Sequence, residues 1–253
     1  MCYLLKFNLL KVNKEEVKVK NKIAMILILG IVCLIYINSK HGGIKVIGDI
    51  IEKNAYVEAL KDMSNDNSNV DDGELMLVNR KNPLDKDYVP HNLKVAKVKI
   101  YPNVSNEEMQ MKGNAADALK RLFDKGEEEG IILYALSGYR SYATQKDLYE
   151  NSIKTNGKEY ADAYVAMAGI SEHQSGLAMD ITNAEKSTGF ENTKEGKWLQ
   201  KNAYKFGFII RYGIGKEAIT GYNYEPWHVR YVGAPNSEKI YSKDITLEEF
   251  LKP

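Results

Sequence analysis

The chain carries one uninterrupted apolar run near its start, followed by shorter apolar stretches whose period switches between helix and strand. The run covers residues 23–37, IAMILILGIVCLIYI, and its 15 residues fall short of the ~20 usually needed to cross a bilayer. Asn38 and Ser39 extend it at one interface and Lys22 can snorkel at the other, giving a span of 23–39. Lys6, Lys11, Lys14, Lys18, Lys20 and Lys22 precede it against only Glu15 and Glu16. This excess predicts a cytoplasmic basic N-terminus over 1–22 and export of everything beyond residue 40. A cleaved signal peptide competes, because such a run also suits a long h-region. However, Tyr36-Ile37-Asn38-Ser39-Lys40 lacks a small-x-small cleavage pattern, and Cys33 lacks the small neighbour of a lipoprotein box. An uncleaved single-pass anchor in the cell membrane is therefore expected, with the rest of the chain on the cell-wall side.

Residues 40–73 read as a stalk, ending in the polar linker SNDNSNVDDG, and the folded domain is expected over 74–253. LMLVN after Glu74 reads as a strand. Ala115, Ala118, Leu119, Leu122 and Phe123 repeat at helical spacing, predicting a helix over 115–129 with Asn114 as N-cap and Gly130 as stop. Further helices are expected over 142–153 (capped by Ser141), 159–168 (stopped by Gly169) and 194–205 (stopped by Gly207). Thr246 and Glu249 have the spacing of a capping box for a last helix. Strands are expected over 131–136, 177–182, 208–211 and 227–232. Helices and short strands without regular βαβ alternation predict the α+β class.

Composition narrows the function. A formal net charge of +1 gives no basic face for nucleic acid. Cys2 and Cys33 both lie in the N-terminal piece, so the exported part has neither disulfide nor thiolate chemistry. Arginine is scarce, at 80, 121, 140, 211 and 230 only, so each one invites a question.

Of the four histidines, His41 and His91 read as solvated loop residues. His173 stands in Ser171-Glu-His-Gln-Ser-Gly-Leu-Ala-Met-Asp180, and His228 in Glu225-Pro-Trp-His-Val-Arg230. A hydrolytic zinc takes three protein ligands and keeps one position for water. His173 and Asp180 are seven residues apart across a turn that Gly176 permits, and His228 from another strand completes a triplet. On the 177–182 strand, Ala178 and Asp180 share one face while Leu177, Met179 and Ile181 point into the core. Glu225 is then placed beside the site as a general base, since zinc lowers the pKa of water toward ~7 and a carboxylate can take the proton. Singly, each histidine could instead be structural and Asp180 a strand-end cap. No Ser-x-x-Lys, Gly-x-Ser-x-Gly, His-Glu-x-x-His or phosphate loop occurs, which leaves serine and nucleotide chemistries without their residues.

These motifs, together with LVNRKNPLDKDYVP, SGYRSYATQ and ITGYNYEPWH, resemble the VanY-type zinc D-alanyl-D-alanine carboxypeptidases of bacterial cell walls over residues 74–235. The resemblance implies the small zinc-peptidase fold shared with the hedgehog signalling domain, an antiparallel sheet flanked by helices. It implies Zn2+ on His173, Asp180 and His228, and Glu225 as catalytic base and acid. Arg140 resembles the arginine that polarises the scissile carbonyl or holds the substrate carboxylate, the alternative being a structural salt bridge. Ser137, Gln145 and Ser171 resemble substrate-binding or supporting positions, and Trp227 either a pocket wall or a core aromatic. The implied partner is a peptidoglycan stem peptide ending in D-alanine, bound by a monomer. Tyr212-Gly213-Ile214-Gly215 departs from relatives that carry a proline after the tyrosine, which implies a looser loop. An L,D-carboxypeptidase on tetrapeptide stems and a non-catalytic zinc-containing wall-binding protein are the alternatives.

Overall fold

The structure, a computed structural model, describes residues 73–252. The basic N-terminus, the 23–39 span and the stalk up to residue 72 lie outside the described residues. Among the described residues, no helix is long and apolar enough to cross a membrane.

The centre is an antiparallel sheet of β3 (Tyr134–Ser137), β4 (Ala178–Thr182), β5 (Phe208–Ile210) and β6 (His228–Tyr231), in the order β3-β4-β6-β5. Ahead of it, β1 (Leu93–Val95) and β2 (Gln110–Lys112) form a separate two-stranded ribbon leading into α1 (Gly113–Glu128). The apolar stripe of α1, Ala115, Ala118, Leu119, Leu122 and Phe123, buries against Met179, Ile181, Phe208, Val229 and Tyr231 from one face of the sheet. Burial of each such large side chain stabilises by ~1.5–3 kcal/mol. Strand alternation turns Asp180, His228 and Arg230 to the opposite face. There a smaller cluster of Ile209, Val232, Ile240 and Leu247 packs with Leu75 and Leu77. The α+β class and the helix-flanked antiparallel sheet match the expectation from sequence.

The other helices are α2 (Tyr142–Asn156), α3 (Lys158–Tyr164), α4 (Lys194–Asn202), α5 (Glu217–Thr220), α6 (Ala234–Lys243) and α7 (Leu247–Phe250). Ser141 caps α2 by accepting from Thr144 N at 3.3 Å, and the Thr246–Glu249 capping box opens α7. Gly130 ends α1 with a positive φ of 74°.

Several expectations are corrected. LMLVN is not a strand: Leu75 and Leu77 pack on the smaller cluster, and the Glu74 and Met76 carbonyls accept from Arg230 Nη2 at 2.8 and 2.7 Å. Those backbone acceptors serve a buried guanidinium, which a neighbouring strand would otherwise have claimed. Asn114 lies inside α1, where its amide donates to the Glu74 carboxylate and its Oδ1 accepts from Ala115 N. β3 starts at Tyr134, because Ile131 N closes on Gly126 O at the end of α1. α3 stops at Tyr164, where Val165 turns extended, short of the Gly169 stop. The 194–205 helix becomes α4 followed by a 3₁₀ turn, Ala203–Phe206, before Gly207. β1, β2, α5 and α6 have no counterpart in the sequence reading, although Pro235 in the first turn of α6 was a usable start signal.

Candidate active site

His173 sits on a 3₁₀ turn, Glu172–Ser175, whose N-cap Ser171 accepts from His173 N at 3.4 Å. Gly176 closes the turn at φ 71°, where a Cβ would come within 3.1 Å of both Leu93 and Pro90. The turn delivers the chain directly into β4, so His173 and Asp180 face one another. The imidazole is fixed from behind: His173 Nδ1 donates to Gly138 O at 2.7 Å. A side chain at Gly138 would put its Cβ 2.8 Å from the Glu108 carbonyl, so only glycine lets that backbone approach. The free Nε2 then lies 3.5 Å from Asp180 Oδ2.

Asp180 pairs in register with His228 across β4 and β6, and His228 Nδ1 lies 3.0 Å from Asp180 Oδ1. The two imidazoles meet nearly at right angles, 89°, with centroids 4.9 Å apart. One ligating atom from each of His173, Asp180 and His228 falls within 4.8 Å of the others. Two imidazoles and a carboxylate in that spacing fit a zinc ion with one further position free. Glu225 stands just outside the triplet, its Oε2 3.9 Å from His228 Nδ1, held by backbone bonds from Glu225 N to Tyr212 O and from His228 N to Glu225 O. Arg140 closes the other side, with Nη2 3.7 Å from Asp180 Oδ2 and Nε without a protein partner. These groups line one cavity of about 210 Å³ together with Gln145, Ser171, Tyr212, Tyr222 and Trp227. A larger cavity of about 570 Å³, between β5 and α6, shares none of them.

The electrostatics of the site favour a cation. Burial lowers His173 to about 4, Arg140 reinforcing and Asp180 opposing. Burial would lower His228 too, but its bonds to Asp180 and Glu172 raise it to about 9. Burial alone would raise Asp180, yet the two imidazoles hold it well below the usual carboxylate range. The carboxylates around His228 thus favour positive charge at this position, which a bound metal ion would supply. Glu225 behaves differently: burial raises it to about 7, with His228 opposing and Asp180 reinforcing. Two neighbouring carboxylates are thus pushed in opposite directions, Asp180 kept ionised and Glu225 raised toward neutrality.

The profile described as VanY: D-alanyl-D-alanine carboxypeptidase matches residues 108–234. The putative carboxypeptidase YodJ of Bacillus subtilis (strain 168) is 46% identical over 184 residues, covering 70% of this chain and 67% of that protein. The chain belongs to the VanY family. A D-alanyl-D-alanine carboxypeptidase of Enterococcus faecalis (strain ATCC 700802 / V583) is 38% identical, covering 70% of this chain and 65% of that protein. The chain therefore spans about two thirds of the length of these two relatives. Among solved structures, the LdcB LD-carboxypeptidase is 44% identical at a TM-score of 0.66, covering 71% of this chain and 86% of that one. A variant of the vancomycin-resistance D,D-pentapeptidase VanY, in complex with Zn(II), is 37% identical at a TM-score of 0.60, covering 71% and 99%.

Within this VanY-family chain, the sequence-predicted residues do not all gather. Gln145 is buried on α2 and lines the cavity; its Nε2 donates to Ala166 O at 2.7 Å, leaving Oε1 without a protein partner. Trp227 is both things at once, a cavity wall and a flank of the main core. Ser137 is turned away: its Oγ donates to Glu108 Oε1 at 3.0 Å, and it is absent from the cavity lining. His91 is exposed, as a loop histidine should be. Sequence reasoning passed over Tyr212, Tyr222 and above all Glu172, which is 1% exposed and faces the edge of His228. The scarce arginines were the available signal, because Arg211 and Arg230 both end on Glu172.

Proposed function

We propose that this protein is a zinc-dependent carboxypeptidase that removes the terminal D-alanine from peptidoglycan stem peptides, acting on the D-alanyl-D-alanine bond. The observation that carries the reading is the placement of Glu225, beside the His173–Asp180–His228 triplet but outside it. A purely structural metal would need no such neighbour. Zinc held by the triplet supplies Lewis acidity and water of lowered pKa. The remaining chemistry belongs to the chain's own residues. Glu225 takes a proton from the attacking water as its oxygen bonds to the last peptide carbonyl carbon. Arg140, which lines the cavity and whose Nε has no protein partner, stabilises the developing oxyanion or holds the terminal carboxylate. Glu225 then gives the proton to the departing amine as the C–N bond breaks, so free D-alanine leaves and the carboxylate stays on the shortened stem. Asp180 and the two histidines stay unprotonated toward the metal throughout.

A second reading, L,D-carboxypeptidase action on tetrapeptide stems, is favoured by the likeness to the LdcB LD-carboxypeptidase at 44% identity. The two differ in the residue before the cleaved bond, D-alanine in the pentapeptide and the L-configured third residue of the stem in the tetrapeptide. Incubating the zinc-loaded protein with defined pentapeptide and tetrapeptide muropeptides, and reading masses, decides between them. Loss of one alanine from pentapeptide is expected. Loss from tetrapeptide alone supports the second reading, and loss from neither makes the protein a non-catalytic wall binder. The proposal includes a single-pass anchor over 23–39 that holds a monomeric catalytic domain on the cell-wall side, supported by the lysine excess before the span and the cysteine-free sequence after it. Protease added to intact protoplasts should remove the catalytic domain and leave the N-terminal tail protected.

A further inference from the structure

Behind the metal triplet lies a buried charge network that the catalytic scheme does not use. Glu172 Oε1 accepts from Arg211 Nε and from Arg230 Nη1, both at 2.7 Å. Arg211 spends its other two nitrogens on Glu248 of α7, at 2.9 and 2.6 Å. Arg230 gives Nε to Tyr231 O at 3.0 Å and Nη2 to the Glu74 and Met76 carbonyls. Both guanidiniums therefore reach Glu172 through the same single oxygen. Its second oxygen, Oε2, points at His228 Nε2, 3.5 Å away, and neither atom has another polar partner. If Glu172 served only to neutralise arginines, nothing would require that second oxygen to face an imidazole edge. His173 is held in the same manner, with Gly138 O behind the nitrogen that faces away from the triplet.

We propose that Glu172 is the positioning residue for His228: it accepts the Nε2 proton and so turns the Nδ1 lone pair toward the ion. This rests on the metal reading above. Ligating histidines commonly need such a partner to fix their tautomer, and losing it weakens metal binding by about 10–100-fold. The network makes a specific outcome for Glu172→Gln. Arg211 and Arg230 can only donate, so the glutamine oxygen must stay on them and its NH₂ must face His228. Nε2 would then become an acceptor, the ring proton would move to Nδ1, and the ligand lone pair would be lost.

The test uses the full-length protein and zinc alone. Chelator competition should show Glu172→Gln binding zinc about 10–100-fold more weakly than wild type. Glu172→Asp, which keeps a carboxylate, should recover part of the loss. Wild type that binds zinc alongside a folded Glu172→Gln within twofold of it overturns this proposal alone. Wild type that binds no zinc overturns the functional reading and this proposal with it. Should Glu172→Gln not fold, the zinc-loaded wild type still decides the matter by nitrogen-15 NMR of its histidines. A slowly exchanging, downfield Nε2 proton on His228 is expected, and one in fast exchange with water overturns the proposal.

Discussion

Glu225 and Arg140 border the same cavity, and the proposed mechanism asks opposite things of them: one sheds and regains a proton, the other keeps its charge. Glu225→Gln should reduce kcat by about 10²–10⁴-fold with zinc affinity little changed, because the side chain stands outside the ligand set. Turnover of muropeptide measured on zinc-loaded variant checks this. The pH dependence follows from the base role. Activity rises as Glu225 loses its proton, so the acid limb of kcat/KM should fall at or below pH 7, since burial raises the group to about 7 and a nearby cation draws it down. Arg140→Ala should lower kcat/KM by about 10²–10³-fold while zinc stays bound, and near-normal turnover would remove it from the chemistry. At this scale the gathering of His173, Asp180 and His228, with Glu225 beside them, was legible because each lies in a short motif whose spacing suits a metal site. Glu172 was not. A glutamate beside a turn histidine reads as solvated, and its partners lie 39 and 58 residues along the chain.

Among the elements, the long amphipathic ones were the most legible. The stripe on α1 faces the sheet as its period requires, and Leu122 is fully buried. Leu122→Ala should lower unfolding free energy by about 2–5 kcal/mol, measured by denaturant titration. The three- and four-residue strands and the 3₁₀ turns were legible only in part, since segments that short carry too little periodicity to fix their ends. Residues 75–79 show the reason most plainly: an apolar run of strand-like composition is recruited by tertiary contacts to Arg230 and the Ile209 cluster. The docking of α7 is pH-sensitive in a defined direction. Burial would raise the Glu248 carboxyl, but its bonds to Arg211 and Asn79 hold it below the ordinary 4.5. Its contribution is therefore complete above that value and fades as the pH falls through the lowered one. Glu248→Gln should lower Tm at neutral pH, and the gap from wild type should narrow on acidification; a gap independent of pH would contradict the ion pair.

At the scale of the whole molecule, the metal should be part of the stability as well as the chemistry. A ligand that binds only the folded state stabilises it by about 2.7 kcal/mol at a hundred times its Kd. Removing zinc with a chelator should thus lower Tm, and adding it back should restore the value. Replacing His173 by alanine should abolish that response. The guanidinium of Arg230 grips the carbonyls of Glu74 and Met76, while that of Arg211 grips Glu248. The opening and closing segments of the described residues are thereby tied to the same buried glutamate. A growing chain would hold its ion only loosely until its last turn arrived. Metal capture would then act as a late checkpoint on assembly, and a protein cut short before Glu248 would be folded in large part yet idle.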